Sequence, residues 1–93
     1  MQGEKVYISV IAEFNPATGT MMPKSLTWED GSRYDIERVV DVRPAASAKA
    51  GGQGDRYTVL ISGKPRCLYF EHNPIPYSMD LGKWFVERRQ PRQ

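Results

Sequence analysis

A chain of 93 residues fits one domain with a single modest core and is too short for a two-domain enzyme. Hydrophobic residues make up 40% of it and charged residues 26%, which excludes a disordered polypeptide and predicts a folded one. The formal net charge is +2, but residues 1–42 carry four basic and seven acidic groups whereas residues 43–93 carry nine and four, which indicates a basic face.

The sequence also bears on the cellular location of the protein and on its possible disulfides and metal sites. No apolar run approaches the roughly 20 residues that a membrane span needs, and the segment Met1 to Glu4 lacks the features of a signal peptide. Cys67 is the only cysteine, so neither an intrachain disulfide nor a cysteine-rich zinc site is expected. We therefore expect a cytoplasmic protein without metal or cofactor.

Alternating apolar residues predict two strands at the start of the chain. In KVYISVIAEF (5–14), every second side chain is apolar, which is typical of a strand with one buried face. NPATG (15–19) is a cluster of turn formers, and MPKSLTWE (22–29) predicts a second strand.

A hairpin signal follows the second strand. Asp30-Gly31 lies between two alternating segments and predicts a tight turn into a third strand, RYDIERVVDV (33–42). Arg38 interrupts the apolar alternation of this strand and indicates a bulge or a departure from the core.

The segment after the third strand favours a helix. Pro44 suits a first helical position, the alanines that follow are good helix formers, and Gly51 suits the position just past a helix end. We predict a short helix over Pro44–Ala50, with Gly51 in a left-handed conformation. A Walker A phosphate loop is disfavoured because Lys49 precedes the glycines and has no Ser or Thr beside it.

Three more strands complete the predicted fold. An excursion over 72–82 separates the last two, and residues 88–93 are expected to form a frayed basic tail. The result is a single all-β domain over 1–87, mainly antiparallel with about six strands, forming a small barrel or roll with one short helix between strands three and four. The three strands are RYTVLI (56–61), RCLYFE (66–71) and KWFVER (83–88).

Residues that support catalysis are sparse. His72, the only histidine, follows a strand and is expected to be solvated or to cap it, and Cys67 is expected to be a small buried hydrophobe. Asp35, Glu37 and Asp41 share the polar phase of the third strand and are expected on a solvated face. We therefore predict no catalytic residues, no metal site and no enzymatic activity.

Basic and aromatic residues interleave across four strands, which supports two hypotheses of binding. The leading one is a non-catalytic module that binds a protein partner or self-associates, because tyrosine and tryptophan are enriched at interfaces. The alternative is a small barrel that stacks the bases of single-stranded nucleic acid while cations meet the phosphates. The residues predicted for that alternative are Arg33, Arg56, Arg66, Tyr69, Lys83 and Trp84.

One extended pattern carries a resemblance. The pattern W-x-x-G-x-x-Y-x-I-x-R-V-x-D spans Trp28 to Asp41, and LYFE and KWFVE follow it in the chain. From Trp28 to Glu87 the chain resembles a group of short Gram-positive bacterial proteins of unassigned function. The pattern is also similar to a small bacterial domain sometimes encoded near translesion DNA polymerases, although the excursion over 72–82 is longer here. The resemblance implies one compact fold of unassigned function and brings no catalytic residues. A link to DNA repair belongs only to the alternative hypothesis of nucleic-acid binding.

Overall fold

The computed structural model describes residues 4–47, 52–73 and 82–88, all of them in strands and the connections between strands. These segments contain no helix, and so none long and apolar enough to cross a membrane. The strands are β1 (Glu4–Asn15), β2 (Thr20–Thr27), β3 (Arg33–Asp35), β4 (Arg38–Ser47), β5 (Gly52–Ile61), β6 (Lys64–His72) and β7 (Gly82–Arg88).

All seven strands form one antiparallel sheet, in the order β3-β2-β1-β7-β6-β5-β4. β3 and β4 lie at opposite ends of this order, yet only Ile36 and Glu37 separate them in the chain. The Ile36 N–H donates to the Lys24 carbonyl on β2 at 2.9 Å, and the Glu37 N–H donates to the Leu60 carbonyl on β5 at 2.8 Å. The sheet therefore curls until its two edges meet at this junction, and the result is a half-barrel.

The predicted third strand is two strands. The break lies at Ile36 and Glu37, directly before Arg38 begins β4. A bulge follows at Val40, whose side chain is 52% exposed. The five other predicted strands and the Asp30-Gly31 hairpin are also confirmed, and the total is seven strands rather than six.

The predicted helix over Pro44–Ala50 is wrong where the structure describes it. Residues 44–47 continue β4 and pair with residues 52–55 of β5. Helix propensity differs among ordinary residues by less than about 1 kcal/mol each, so the hydrogen-bonded ladder to β5 outweighs it. Proline is tolerated in β4 because this strand ends the sheet order. Residues 48–51, including Gly51 and its predicted conformation, lie outside the described residues.

The core lies inside the curl, on the side of the sheet that we call the inner face. Cross-strand pairs Tyr57–Leu68 and Phe70–Trp84 place these side chains on that face. The Trp84 ring centroid lies 5.2 Å from that of Tyr57 and 4.9 Å from that of Phe70. The Tyr57 hydroxyl donates to the Met21 carbonyl at 2.9 Å, which satisfies its polar end. The buried cluster comprises Leu26, Ile36, Tyr57, Val59, Leu68, Phe70 and Trp84.

A two-residue turn joins β5 to β6. Ser62 and Gly63 both have positive φ, 53° and 74°, as a type I′ turn requires. Ile61 and Lys64 therefore form the first cross-strand pair beside it. The Gly63 N–H donates to the Glu37 carboxylate at 2.8 Å, which ties the hairpin tip to the junction between β3 and β4.

The close approach of β6 and β7 makes Gly82 a sensitive position. A Cβ added there would overlap the Glu71 carbonyl oxygen and lie 2.7 Å from the Phe70 ring. We expect Gly82→Ala to lower the free energy of unfolding by about 3 kcal/mol, measured by urea denaturation. Gly19→Ala is the control, because Gly19 also has positive φ but no atom lies within 4 Å of the added Cβ, so its loss should stay near about 1 kcal/mol. Equal losses would contradict the packing explanation.

Candidate functional site

A cleft opens where β6 and β7 separate. The two strands pair only from Tyr69 to His72 on β6, so Lys64–Leu68 pair with β5 alone within the described part of the chain. Beyond that point β7 continues its pairing with β1 on its other side. The cleft has a volume of about 660 Å³. The apolar residues that line it are Leu26, Trp28, Val59, Ile61, Leu68 and Val86.

The β5–β6 ladder determines which backbone groups face this cleft. Because Ile61 and Lys64 form the hydrogen-bonded pair beside a two-residue turn, alternate residues of β6 starting with Lys64 direct their N–H and C=O groups toward β5. The backbone N–H and C=O groups of Pro65, Cys67 and Tyr69 point away from β5. Of these three residues, only Tyr69 pairs with β7. Pro65 has no N–H. The open edge therefore offers the Cys67 N–H and the carbonyls of Pro65 and Cys67.

Side chains of β6 alternate between the two faces of the sheet. Leu68 is 1% exposed in the core, and Lys64 and Arg66 lie exposed at the mouth of the cleft on the same inner face. Cys67 points to the opposite side, the outer face, beside Thr58. The prediction that Cys67 is a buried hydrophobe is wrong, because it is exposed on a face that no second layer of the described chain covers.

Positive charge dominates the inner side of the cleft mouth. Neither Lys64 nor Arg66 forms an ion pair with a carboxylate of the described segments. Glu87 supplies the carboxylate among the described lining residues, but it lies on the outer face and hydrogen-bonds Tyr69. Glu37 at the hairpin tip accepts a backbone N–H. An acidic group that approached from solvent would therefore meet two cations that no carboxylate of the described residues pairs with.

A row of aromatic and basic side chains crosses the outer face. Phe85 stacks on Tyr69 with ring centroids 5.0 Å apart and planes 7° apart, and its centroid lies 5.8 Å from that of Tyr7. The Lys5 ammonium lies 4.8 Å from the Phe85 centroid. These neighbours leave Phe85 only 5% exposed although it faces away from the core. In cross-strand order the row is Arg43, Arg56, Tyr69, Phe85 and Tyr7.

Glu71 connects the charges of this face. It accepts hydrogen bonds from the Lys5 ammonium at 2.7 Å and from the Tyr7 hydroxyl at 3.0 Å. The hydrogen bond from Lys5, aided by that from Tyr7, holds the pKa of Glu71 below its ordinary value. Burial and the neighbouring Glu71 raise the pKa of Tyr7. Much of the positive charge near the aromatic rings is therefore already neutralised.

Arg43 and Arg56 form the most basic point of the outer face. They lie directly opposite each other on β4 and β5, an arrangement that is destabilising for like charges. The Arg43 Nε donates to Asp41 at 2.8 Å. The Arg56 Nε is buried and has no hydrogen-bond partner among the described residues.

The six residues predicted to bind nucleic acid lie on separate surfaces. Trp84 is in the core at 9% exposure, where its ring cannot stack on a base. Arg66 is at the cleft mouth on the inner face, and Arg33 is exposed on β3 at the far end of the sheet order. The other three share the outer face: Arg56, Tyr69 and Lys83.

His72 is exposed, as one of the two predicted alternatives had it, and its side chain contacts Asp55. Its Nε2 lies 2.9 Å from the Asp55 carboxylate, and its ring centroid lies 5.3 Å from that of Phe70. Across residues 4–47, 52–73 and 82–88, no group of three or more His, Cys, Asp or Glu side chains is arranged to hold a metal ion.

Sequence reasoning missed the cleft at the β6 edge. One signal for it was present, because Pro65 directly after a turn is typical of a strand with one unpaired edge. No protein-family model, curated protein or solved structure matches this chain. The resemblance to short bacterial proteins stays a prediction. Any proposal of function therefore rests on the geometry of the cleft and of the outer face.

Glu71 gives the outer face a measurable pH dependence. We expect Glu71→Gln to lower the free energy of unfolding by about 1 kcal/mol near neutral pH, because Lys5 loses its carboxylate partner. The folded-state pKa of Glu71 is lowered, so its stabilisation is present above the unfolded value and is lost as the pH falls through the folded value. The difference between parent and variant should therefore shrink below pH 4.5.

Urea denaturation at neutral and at acidic pH measures this difference. Glu13→Gln is the control, since Glu13 is exposed on β1, and its effect should stay close to zero at every pH. A deficit in Glu71→Gln that persists unchanged at the lowest pH would contradict the role of the Lys5–Glu71 pair.

Proposed function

We propose that this protein is a non-catalytic interaction module that binds an extended segment of a partner protein along the open edge of β6. One observation carries the proposal: Lys64–Leu68 pair with β5 but, among the described residues, with no strand on their other side, and that side faces an apolar cleft. Strand addition uses this combination, because backbone hydrogen bonds provide affinity and pockets for alternate side chains provide specificity.

The open edge is short. A strand beside β6 gains hydrogen bonds to the Cys67 N–H and to the carbonyls of Pro65 and Cys67, while the missing N–H of Pro65 interrupts the edge. Such an interruption also protects an edge strand against unspecific pairing with other sheets. Backbone contacts alone therefore give modest affinity, and the cleft has to contribute the rest.

The cleft can supply the remaining affinity by binding side chains of the partner. Its volume of about 660 Å³ accommodates more than one side chain, and Leu68 and Val59 line its floor. Burying one aliphatic or aromatic side chain of the partner contributes roughly 1.5 to 3 kcal/mol. A single anchoring residue in the cleft would thus exceed the contribution of any one hydrogen bond at the edge.

Single-stranded nucleic acid remains the alternative partner. Arg56, Tyr69 and Lys83 on one face favour it, since cations and rings together bind phosphates and bases. Glu71 and Glu87 lie on the same face and disfavour it, because they would repel a phosphate backbone. We therefore rank binding of a peptide strand above binding of nucleic acid.

Peptides selected from a random display library on the immobilised protein serve as probes of strand addition. Methylation of one peptide amide nitrogen at a time removes a donor without changing a side chain. We expect affinity to fall by up to about tenfold at alternate positions only, because every second residue of an added strand faces β6. Fluorescence anisotropy of the labelled peptides measures the loss, and a profile without alternation would rule out pairing at this edge.

Variants of the protein locate the site. Cys67→Ala keeps the backbone N–H and should bind like the parent, whereas Cys67→Pro removes the N–H that points away from β5 and should weaken binding about tenfold. A thermal melt of each variant checks folding, and the methylation profile tests the proposal independently if the proline variant does not fold. A labelled oligonucleotide whose binding at low salt is lost in Arg56→Ala would support the alternative instead.

A further inference from the structure

Three consecutive residues of β6 determine the chemistry of a strand that pairs beside them. Arg66 and Leu68 point to the inner face, and Cys67 between them points to the outer face. In an added strand, the residue that exchanges hydrogen bonds with Cys67 also points outward, and its two neighbours point inward beside Arg66 and Leu68. The strand therefore presents two inward side chains separated by one position.

The position beside Leu68 favours an apolar side chain. Leu68 and Val59 are each 1% exposed, and Leu26, Trp28 and Val86 complete the wall around them. A polar side chain placed against Leu68 and Val59 would lose its hydration without gaining a hydrogen bond from these aliphatic side chains. An aliphatic or aromatic side chain fits the chemistry of the cleft.

The position beside Arg66 favours a carboxylate. Arg66 and Lys64 lie on the same face at the cleft mouth, and no carboxylate of the described segments pairs with either of them. A guanidinium binds a carboxylate in a bidentate geometry, and a second cation two residues away on the strand reinforces the attraction. A basic side chain at this position would be repelled.

We infer that the segment recognised by β6 carries an acidic residue and an apolar residue separated by one position, with the acidic residue beside Arg66 and the apolar residue beside Leu68. This inference rests on the proposed function and adds the side-chain chemistry of the partner to it. The residue between the two points away from the cleft and next to Cys67, so its own chemistry is free to vary.

Because a residue that exchanges both hydrogen bonds with Cys67 belongs to an antiparallel strand, the apolar residue precedes the acidic one in the peptide. Two labelled pentapeptides test the acidic position: acetyl-Thr-Leu-Thr-Glu-Thr-amide and the same peptide with Lys in place of Glu. We expect the Glu peptide to bind about tenfold more tightly by fluorescence anisotropy, and Arg66→Glu to reverse this preference. Arg43→Glu is the matched control, because it makes the same charge change on β4, outside the cleft, and should preserve the preference. Equal affinities of the two peptides for the parent would overturn the inference.

Cys67 allows a second readout of the register. Cys67 is the only cysteine of the chain, and it is exposed. A peptide cysteine can be activated as a mixed disulfide with thionitrobenzoate. Attack by the Cys67 thiolate then forms the protein–peptide disulfide and releases one thionitrobenzoate anion. When each peptide is present at a saturating concentration, the one with cysteine at the middle position should react several-fold faster than those with cysteine at either adjacent position, because of these three side chains only the middle one shares the outer face with Cys67. Mass spectrometry and the released anion both report the rate.

The two readouts separate the inference from the function beneath it. If the middle position reacts fastest but the Glu and Lys peptides bind alike, the strand pairs with β6 and the acidic preference is wrong. If no pentapeptide binds and all thiol positions react at one rate, while library selection also yields no edge-binding peptide, the proposed function itself is wrong.

Discussion

The architecture depends on two adjacent backbone hydrogen bonds at the junction between β3 and β4. Ile36 donates to β2 and Glu37 donates to β5, so neighbouring residues belong to opposite edges of the same sheet. A flat sheet cannot satisfy both bonds, and the curl that satisfies them creates the inner face on which the core packs. The Glu37 side chain strengthens this closure, since it also accepts the N–H of Gly63 at the tip of the β5–β6 hairpin.

The same curl explains why the cleft lies where it does. β5 and β6 are drawn toward the junction by their hairpin tip, whereas the end of β7 is held by β1 and by the ion pairs of Arg88 with Glu4 and Glu29. β6 and β7 consequently separate beyond the Tyr69–Phe85 pair, where Lys64–Leu68 follow β5 and the end of β7 follows β1. The edge of β6 that no described strand pairs with and the apolar floor of the cleft are thus two consequences of one closure.

The two faces of the sheet use their side chains differently. On the inner face, apolar residues form the core and the cleft, and the cations at its mouth lack described carboxylate partners. On the outer face, Phe85 is covered by neighbouring rings and by Lys5, and Glu71 neutralises the charge around it. Basic and aromatic residues that interleave in the sequence are therefore divided between a core, a neutralised outer row and a positive cleft mouth.

Local signals in the chain predict the all-β class, five of the strands and the Asp30-Gly31 hairpin, because period-two alternation and Asp-Gly turn chemistry are local properties. The change of apolar phase at Arg38 coincides with the start of β4. Residues 44–47 were predicted wrongly as helix, since their strand conformation comes from pairing with β5, and that ladder is a tertiary contact. Three further features depend on which strand lies beside which, and local sequence patterns do not specify that order. They are the exposure of Cys67, the burial of Trp84 and the edge of β6 that no described strand pairs with.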